Sequence, residues 1–265
     1  MKSVPLVAVI QFPGSNCEYE TSRVIKNSGM DSNIYRWNQW RELMDSRPDA
    51  YVLPGGFSFQ DRVRAGAVAA KEKIMDLVFS EAADGKPVLG ICNGAQILVE
   101  SGLVPGWERG KIESALAANH ISGRSGYLSR WIFLHVDDKA QHICPWLGNI
   151  GGVSMPLPIA HAEGRFVFKE ENKERISGNT ALLYCDDKGT ESSESNPNGS
   201  FLNLAGIMND RGNVLAMMPH PERAFWLWQL PPWIPGKWGN LRIQSLRSGS
   251  YAEEKGPGSL FFKSL

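Results

Sequence analysis

The sequence predicts an α/β protein whose mostly parallel sheet is covered by helices on both faces and extended by antiparallel strands. Up to about residue 102, short apolar runs alternate with segments of helical pattern. After about residue 111, strand-like runs follow one another directly, with turn residues between them. Alternation of strands and helices is typical of a parallel sheet that is buried on both faces. Successive strands joined by short turns indicate antiparallel pairing.

The first part of the chain contains the alternating elements. Strands are predicted, in chain order, over residues 6–12, 32–37, 49–56 and 86–91. Helices are predicted between and after them, over about 17–26, 66–83 and 93–101. A glycine follows each predicted helix, as is common at helix ends: Gly29, Gly85 and Gly102.

The second part reads as an extension of the same sheet. Strands are predicted over residues 129–136, 164–169, 180–185 and 201–218, and the last run is interrupted by a hairpin turn at Asn209–Gly212. Residues 186–200 are polar and predict a surface loop. We therefore predict one domain over residues 1–225.

Residues 226–265 are predicted to form an aromatic, proline-rich arm and a closing helix packed on that same domain. The arm contains four tryptophans, which are Trp226, Trp228, Trp233 and Trp238. One interpretation is irregular packing against the domain. The other is a docking surface, because exposed aromatic side chains are enriched at interfaces.

Composition excludes several function classes. Lys plus Arg total 28 and Asp plus Glu total 28, so net charge gives no indication of nucleic acid or an anionic membrane as a partner. No apolar run approaches the roughly 18 residues of a membrane span, and the first apolar run is too short for a signal peptide. The cysteines, at positions 17, 92, 144 and 185, lack metal-site spacing. We expect no metal, no disulfide framework and a cytoplasmic location.

Cys92 occupies the most informative position, at the end of the strand predicted over residues 86–91. It has Gly90 and Gly94 on either side, in the stretch KPVLGICNGAQ. A strand that turns directly into a helix at such a G-x-C-x-G pattern resembles the nucleophile elbow, where flanking side chains would collide. A helix N-terminus favours a cysteine thiolate, and the Asn93 N–H is placed to stabilise an oxyanion.

Two further stretches supply the partners that such a cysteine needs. The predicted strand 49–56 ends in Gly55–Gly56, whose N–H groups would face the same sheet edge and supply a second oxyanion donor. His220 and Glu222 are two residues apart in MMPHPER, so an extended backbone places both side chains on one side. A carboxylate beside an imidazole fixes its tautomer and supports its positive form, as a general base requires.

Each motif alone also has a structural explanation. Cys92 could be a buried cysteine at a glycine-rich strand end, Gly55–Gly56 an ordinary turn, and His220 with Glu222 a surface pair. Together, the three motifs favour nucleophilic catalysis.

These motifs also resemble a known family. LGICNGAQ, LPGGFSFQDRVRAGA and MMPHPER are similar to the triad (class I) glutamine amidotransferases, which have a flavodoxin-like fold. PIAHAEGRF, NPNGS and NHISGRSGYLSRW resemble, within that family, the glutaminase subunits of phosphoribosylformylglycinamidine synthase, an enzyme of purine biosynthesis. The likeness extends from Val7 to about Phe225.

The resemblance implies a role for each matching residue. Cys92 would be the nucleophile, His220 the base and Glu222 the group that orients the base. The substrate-binding residues it implies are Gly55, Gly56, Asn93, Gln96, Ser122, Gly123 and Arg124. The expected reaction is hydrolysis of L-glutamine to glutamate and ammonia.

The resemblance also implies partners. Ammonia would pass to a large synthetase subunit, with a small bridging subunit in the same enzyme. No G-x-x-x-x-G-K-[ST] phosphate-binding loop occurs in the sequence. We therefore expect no cofactor in this chain, and ATP with magnesium in the partner synthetase.

Two other functions are compatible with an elbow cysteine. A stand-alone γ-glutamyl hydrolase would use the same triad, but the NPNGS and AHAEGR stretches argue against it. A redox sensor or chaperone would not need a His-x-Glu motif after the last strand, so the presence of His220 and Glu222 argues against this alternative. His161 and Glu163 form a second pair two residues apart, for which the resemblance favours a structural or partner-facing role over catalysis.

Overall fold

The computed structural model describes residues 4–120, 126–148 and 150–263. Among these residues the helices are α1 (Glu18–Asn27), α2 (Trp40–Ser46), α3 (Lys73–Ala83), α4 (Asn93–Ser101), α5 (Ala140–Ile143) and α6 (Gly236–Ser248). The strands are β1 (Leu6–Gln11), β2 (Asp31–Arg36), β3 (Ala50–Leu53), β4 (Val88–Ile91), β5 (Ser114–Ala118), β6 (Leu128–Val136), β7 (Met155–His161), β8 (Glu163–Phe168), β9 (Thr180–Cys185), β10 (Leu204–Met208) and β11 (Val214–Met217).

The main sheet has the order β2-β1-β3-β4-β11-β10-β9-β6-β7. Pairing is parallel from β2 to β11 and antiparallel from β11 onward to β7. β5 and β8 form a separate antiparallel pair. The predicted α/β class, with a mostly parallel first part and an antiparallel extension, is confirmed.

The central strands of the sheet are buried along their whole length because helices cover both of their faces. Every residue of β3, β4 and β11 is buried. Parallel strands in such a sheet end at one common edge, so the residues that follow β3 and β4 lie next to each other. This edge carries the candidate site.

Several predicted bounds were wrong. The long helix predicted over 66–83 begins at Lys73, and residues 69–71 form a short 3₁₀ turn instead. Gly66 has a φ of +80°, a left-handed conformation that cannot continue a helix. Helices α2, α5 and α6, and strands β5 and β7, had not been predicted.

The hairpin predicted at Asn209–Gly212 is present between β10 and β11. The Gly212 N–H donates to the Asn209 carbonyl at 2.9 Å, and the Asn209 N–H donates to the Val214 carbonyl at 3.0 Å. This turn returns the chain through β11 into the sheet centre, beside β4. As a result, the residues after β11 reach the same edge as those after β4.

The C-terminal segment contains more regular structure than an irregular arm. α6 covers residues 236–248, and a 3₁₀ helix covers Pro257–Phe262. Trp226 stacks on Trp228 with ring centroids 6.0 Å apart, and the Arg23 guanidinium of α1 lies 5.3 Å from the Trp226 ring. No helix in the described part of the chain is long and apolar enough to cross a membrane.

Candidate active site

Cys92 lies at a sharp turn between β4 and α4. Its backbone has φ +50° and ψ −103°, outside the regions that residues with a side chain ordinarily occupy. Two backbone bonds hold this conformation: the Cys92 N–H donates to the Met217 carbonyl at 2.8 Å, and the Gln96 N–H donates to the Cys92 carbonyl at 3.1 Å. The predicted strand–turn–helix around the cysteine is therefore present, with the strain that marks functional elbows.

The two flanking glycines are required by close packing on the neighbouring strand. A Cβ on Gly94 would lie 1.9 Å from the carbonyl oxygen of Leu53, the last residue of β3. A Cβ on Gly90 would lie 2.6 Å from the Gly94 carbonyl oxygen and 2.6 Å from the Leu98 side chain. The elbow glycines thus let α4 start directly against the end of β3.

His220 and Glu222 follow β11 and form a buried pair. His220 Nδ1 and Glu222 Oε1 are 2.5 Å apart, and the two residues are 2% and 1% exposed. Burial alone would lower the pKa of His220, but the Glu222 carboxylate and then the Cys92 thiol hold that pKa well above 6.5. The His220 Nε2 atom is buried and has no hydrogen-bond partner among the described residues.

A second cysteine, Cys17, also lies against His220. Its sulfur accepts a hydrogen bond from the Arg223 guanidinium at 3.1 Å and donates to Asn16 Oδ1 at 3.1 Å. Burial raises the pKa of Cys17 to about 11, so its thiol stays protonated at neutral pH. The sequence around Cys17 has no elbow pattern and gives no indication of this contact with His220.

Cys17, His220 and Glu222 are close enough to be considered as metal ligands. One ligand atom from each lies within 4.8 Å of the others. However, the Nδ1 and Oε1 atoms are already bonded to each other, and a protonated thiol is a poor metal ligand. These three side chains are therefore better described as a hydrogen-bonded cluster around His220 than as a metal centre.

Gly55 and Gly56 are both tightly packed, Gly55 against His220 and Gly56 against the loop after β1. A Cβ on Gly55 would be 2.6 Å from His220 Cε1 and 3.0 Å from the Cys17 sulfur. Gly56 has φ +148°, and a Cβ there would be 2.7 Å from Ser15 Cα. The Gly56 N–H donates no backbone hydrogen bond within the described ranges, and Asn93 begins α4 without an intrahelical acceptor for its N–H. Neither N–H group thus has a backbone acceptor among the described residues.

The side chains of Asn93 and Gln96 fasten the elbow helix to its surroundings. Asn93 Oδ1 accepts from the Ser58 N–H at 3.0 Å, and Asn93 Nδ2 donates to Gln96 Oε1 at 2.9 Å. Gln96 Nε2 donates to the Glu163 carbonyl at 2.6 Å. These three bonds connect the double-glycine loop, the elbow and the start of β8.

A cavity opens beside the Cys92 thiol. Its walls include Gly56, Asp61, Cys92, Gln96, His161 and Glu163. The thiol itself donates to the Ala160 carbonyl at 3.5 Å, at the end of β7. The predicted substrate residues Ser122, Gly123 and Arg124 lie outside the described residues.

His161 is held by Asn119 at the back of this cavity. Asn119 Oδ1 lies 3.1 Å from His161 Nδ1 and 3.5 Å from the Asn198 side-chain nitrogen. Burial lowers the pKa of His161 to about 3, so the ring is neutral.

The NPNGS stretch also contacts β8, since the Ser200 hydroxyl accepts a hydrogen bond from the Phe166 N–H at 3.0 Å. The three stretches that carried the finer resemblance therefore meet at one place.

Fold and site define a glutamine amidotransferase. Residues 4–248 match the model of the CobB/CobQ-like glutamine amidotransferase domain, and the chain belongs to this family. The predicted resemblance is confirmed.

The chain is also similar to named relatives. Phosphoribosylformylglycinamidine synthase subunit PurQ of Methanothrix thermoacetophila is 48% identical over 244 residues, covering 87% of this chain and 92% of that protein. The subunit of the same name from Pyrococcus horikoshii is 44% identical, covering 82% of this chain and 88% of that protein. A solved structure described as PurLQS from Thermotoga maritima matches with a TM-score of 0.67 and 32% identity, covering 93% of this chain and 99% of that chain.

Proposed function

We propose that the chain is the glutaminase subunit of a phosphoribosylformylglycinamidine synthase in purine biosynthesis. It hydrolyses the side-chain amide of L-glutamine to glutamate and ammonia. The observation that carries the proposal is the strained elbow of Cys92, which lines a cavity and whose side chain interacts with that of His220 in the buried His220–Glu222 pair. The close similarity to PurQ subunits over most of the chain supports the choice of synthase.

The proposed reaction begins with attack of the Cys92 thiolate on the amide carbon. A C–S bond forms, and the oxyanion is stabilised by the N–H groups of Gly56 and Asn93. His220 then gives its proton to the amide nitrogen as the C–N bond breaks and ammonia leaves. The raised pKa of His220 supports this role, because the ring carries the proton that the leaving group needs.

The second half of the reaction releases glutamate. His220, now neutral, takes a proton from water, and the resulting hydroxide attacks the thioester carbon. The C–S bond breaks and returns the thiolate. Glu222 holds the Nδ1 proton of His220 throughout, so that Nε2 faces the reacting groups.

Ammonia passes to a large synthetase subunit, and we include a small bridging subunit in the same assembly. The PurLQS description of the related structure supports this proposal. ATP and magnesium would be bound by the synthetase and not by this chain. We place the assembly in the cytoplasm, in keeping with four free, buried cysteines.

Substitution of the nucleophile tests the proposed function. The Cys92→Ala variant, in complex with its synthetase, should lose glutamine-dependent synthesis, by about a thousandfold or more, while synthesis from free ammonium persists. The lost step is thioester formation, which ammonium bypasses. Synthesis from glutamine and from ammonium is measured in parallel by product formation.

A diazo-ketone analogue of glutamine should alkylate Cys92 in the wild-type chain, as located by mass spectrometry. Cys17, Cys144 and Cys185 are internal controls, since burial raises the pKa of each. Labelling that falls mainly on one of these three would contradict the assignment.

A further inference from the structure

We propose that Asp61, Glu163 and His161 form a subsite that binds the α-ammonium group of the glutamine substrate. This inference rests on the proposed glutaminase function and adds residues that the sequence motifs did not assign to substrate. All three residues line the Cys92 cavity. Two carboxylate residues and one neutral imidazole therefore border the same space.

The hydrogen bonds of Asn119 determine which nitrogen of His161 carries the proton. Asn119 Nδ2 donates to the Gly126 carbonyl at 3.0 Å and to the His161 carbonyl at 2.8 Å. Asn119 Oδ1 must therefore be the atom that faces His161 Nδ1. An amide oxygen accepts and never donates, so the proton of the neutral ring is on Nδ1.

The other ring nitrogen of His161 is consequently an acceptor without a partner. His161 is 3% exposed, and its Nε2 is buried with no hydrogen bond to any described residue. A buried, unsatisfied acceptor is costly and indicates a missing donor. Because the ring forms part of the cavity wall, a bound ligand can supply that donor.

Asp61 is placed on the cavity by a strained loop. Phe59, Gln60 and Asp61 all have left-handed backbones, with φ of 51°, 60° and 53°. Successive left-handed residues other than glycine are unfavourable and concentrate at functional sites. Asp61 Oδ1 is also buried without a partner. Burial, and then the charge of Glu163, raise the pKa of Asp61, as expected for a carboxylate that lacks a neighbouring cation.

Glu163 is fixed relative to the nucleophile. Its Oε2 accepts from the Ala65 N–H at 3.3 Å, and its carbonyl accepts from Gln96 on the elbow helix at 2.6 Å. The carboxylate and the Cys92 turn are therefore parts of one hydrogen-bonded unit. If the amide carbon of the substrate contacts Cys92, the α-amino acid end of the substrate would lie near Asp61 and Glu163.

The two carboxylates of this subsite favour the ammonium group of the substrate over its carboxylate. Glutamine carries an ammonium and a carboxylate at the end remote from its amide. Two carboxylates would repel the substrate carboxylate and attract the ammonium. An alkyl ammonium has three N–H donors, and Asp61, Glu163 and His161 Nε2 provide an acceptor for each. The ammonia that the reaction releases could also bind to these acceptors. The test must therefore distinguish binding of the α-ammonium group from binding of ammonia.

The test compares two alkylating probes on the full chain. One is 6-diazo-5-oxo-L-norleucine, which carries the α-ammonium, and the other is its analogue without the amino group. The second-order rate of Cys92 alkylation is measured by mass spectrometry for wild type, Asp61→Asn, Glu163→Gln and a control, Glu171→Gln. Glu171 is a matched control because its side chain is 74% exposed and lies outside the cavity.

Wild type and the control should prefer the amino probe. Each subsite variant should lose about tenfold or more of that preference, the range of one charge-assisted hydrogen bond, while the rate with the amino-free probe stays within about twofold. Either variant suffices if the other fails to fold. Equal slowing of both probes would overturn the inference, since the residues would then only support the nucleophile. If neither probe alkylates Cys92 in wild type, the proposed function fails and the subsite with it.

Discussion

At the scale of the residue, burial sets the properties of the site more than sequence neighbours do. His220 and His161 are both almost fully buried, yet their pKa values move in opposite directions. His220 faces a carboxylate and thiols that stabilise its charge, whereas His161 faces the neutral side chain of Asn119. One histidine is therefore suited to carry a proton, and the other to remain a neutral acceptor.

The low pKa of His161 predicts a measurable acid sensitivity. Its pKa is about 3 in the folded chain and about 6.5 unfolded, so below 6.5 the unfolded state binds more protons. The stabilisation is therefore complete above 6.5 and declines as pH falls toward 3. By pH 5 the loss amounts to about 2 kcal/mol. Below about 6.5 the contribution of His220 is constant, because its raised pKa leaves the ring protonated in the folded state and the unfolded ring is protonated there as well.

Urea unfolding between pH 7.5 and 5 checks this expectation. The His161→Gln variant serves as the comparison, because the other histidines and the carboxylates titrate in both proteins and cancel. The free energy of unfolding of wild type should fall by about 2 kcal/mol more than that of the variant. Parallel pH curves would show that His161 is not buried as a neutral ring.

At the scale of the element, the site depends on how closely α4 and β3 pack. β3 and β4 are parallel neighbours, and α4 starts at the carboxyl end of β4. The glycine pattern around Cys92 was enough to predict the elbow. That pattern did not show which atom a side chain at position 94 would clash with. The nearest atom belongs to Leu53, some forty residues earlier in the chain.

Gly94→Ala should therefore be strongly destabilising. The new Cβ would lie 1.9 Å from a backbone carbonyl, which cannot move without shifting β3. We expect a loss of about 3 kcal/mol or more in the free energy of unfolding, at the upper end of overpacking, with loss of glutaminase activity. Gly178→Ala is the matched control, since a Cβ there approaches nothing nearer than the Lys139 ammonium at 3.9 Å. Similar denaturant midpoints for both variants would contradict the packing argument.

Local patterns predicted the elements of the first part well and those of the last part poorly. Buried parallel strands are continuous apolar runs, and Cys92, His220 and Glu222 lie directly after such runs. α6 was missed because prolines and tryptophans precede it and its sequence lacks a clear apolar face. The acceptors at Asp61 and His161 were not assigned to substrate because their roles depend on contacts with distant residues.

At the scale of the whole molecule, the C-terminal arm connects the triad to the surface. The Gln229 side chain accepts from the Trp226 N–H at 2.9 Å and donates to the Glu222 carbonyl at 3.3 Å. The arm thus packs behind the triad, and none of the described residues that line the Cys92 cavity belongs to it. Trp238 is 7% exposed, whereas Trp228 and Trp233 are 46% and 63% exposed. Trp238 is therefore part of the protein interior, whereas Trp228 and Trp233 lie at the surface.

Trp233 borders a groove that also includes Arg130 and Trp131 of β6. β6 starts directly after Tyr127, a residue of the Cys92 cavity, so this strand connects the cavity to the groove. Because ammonia must reach the synthetase without loss to solvent, we predict that the synthetase contacts this side of the molecule. Exposed tryptophans are frequent hot spots at such interfaces.

Alanine substitution of the two classes of tryptophan tests this prediction. Trp228→Ala and Trp233→Ala should leave Tm nearly unchanged but weaken association with the synthetase about tenfold or more, which also lowers glutamine-dependent synthesis. Trp238→Ala should instead cost about 3 kcal/mol or more of folding free energy, because it empties a buried site. Calorimetry of the isolated chain gives Tm, and titration of the synthetase gives the affinity. If Trp228→Ala and Trp233→Ala unfold the chain and leave its affinity intact in the folded fraction, the exposed tryptophans stabilise the fold and the synthetase binds elsewhere.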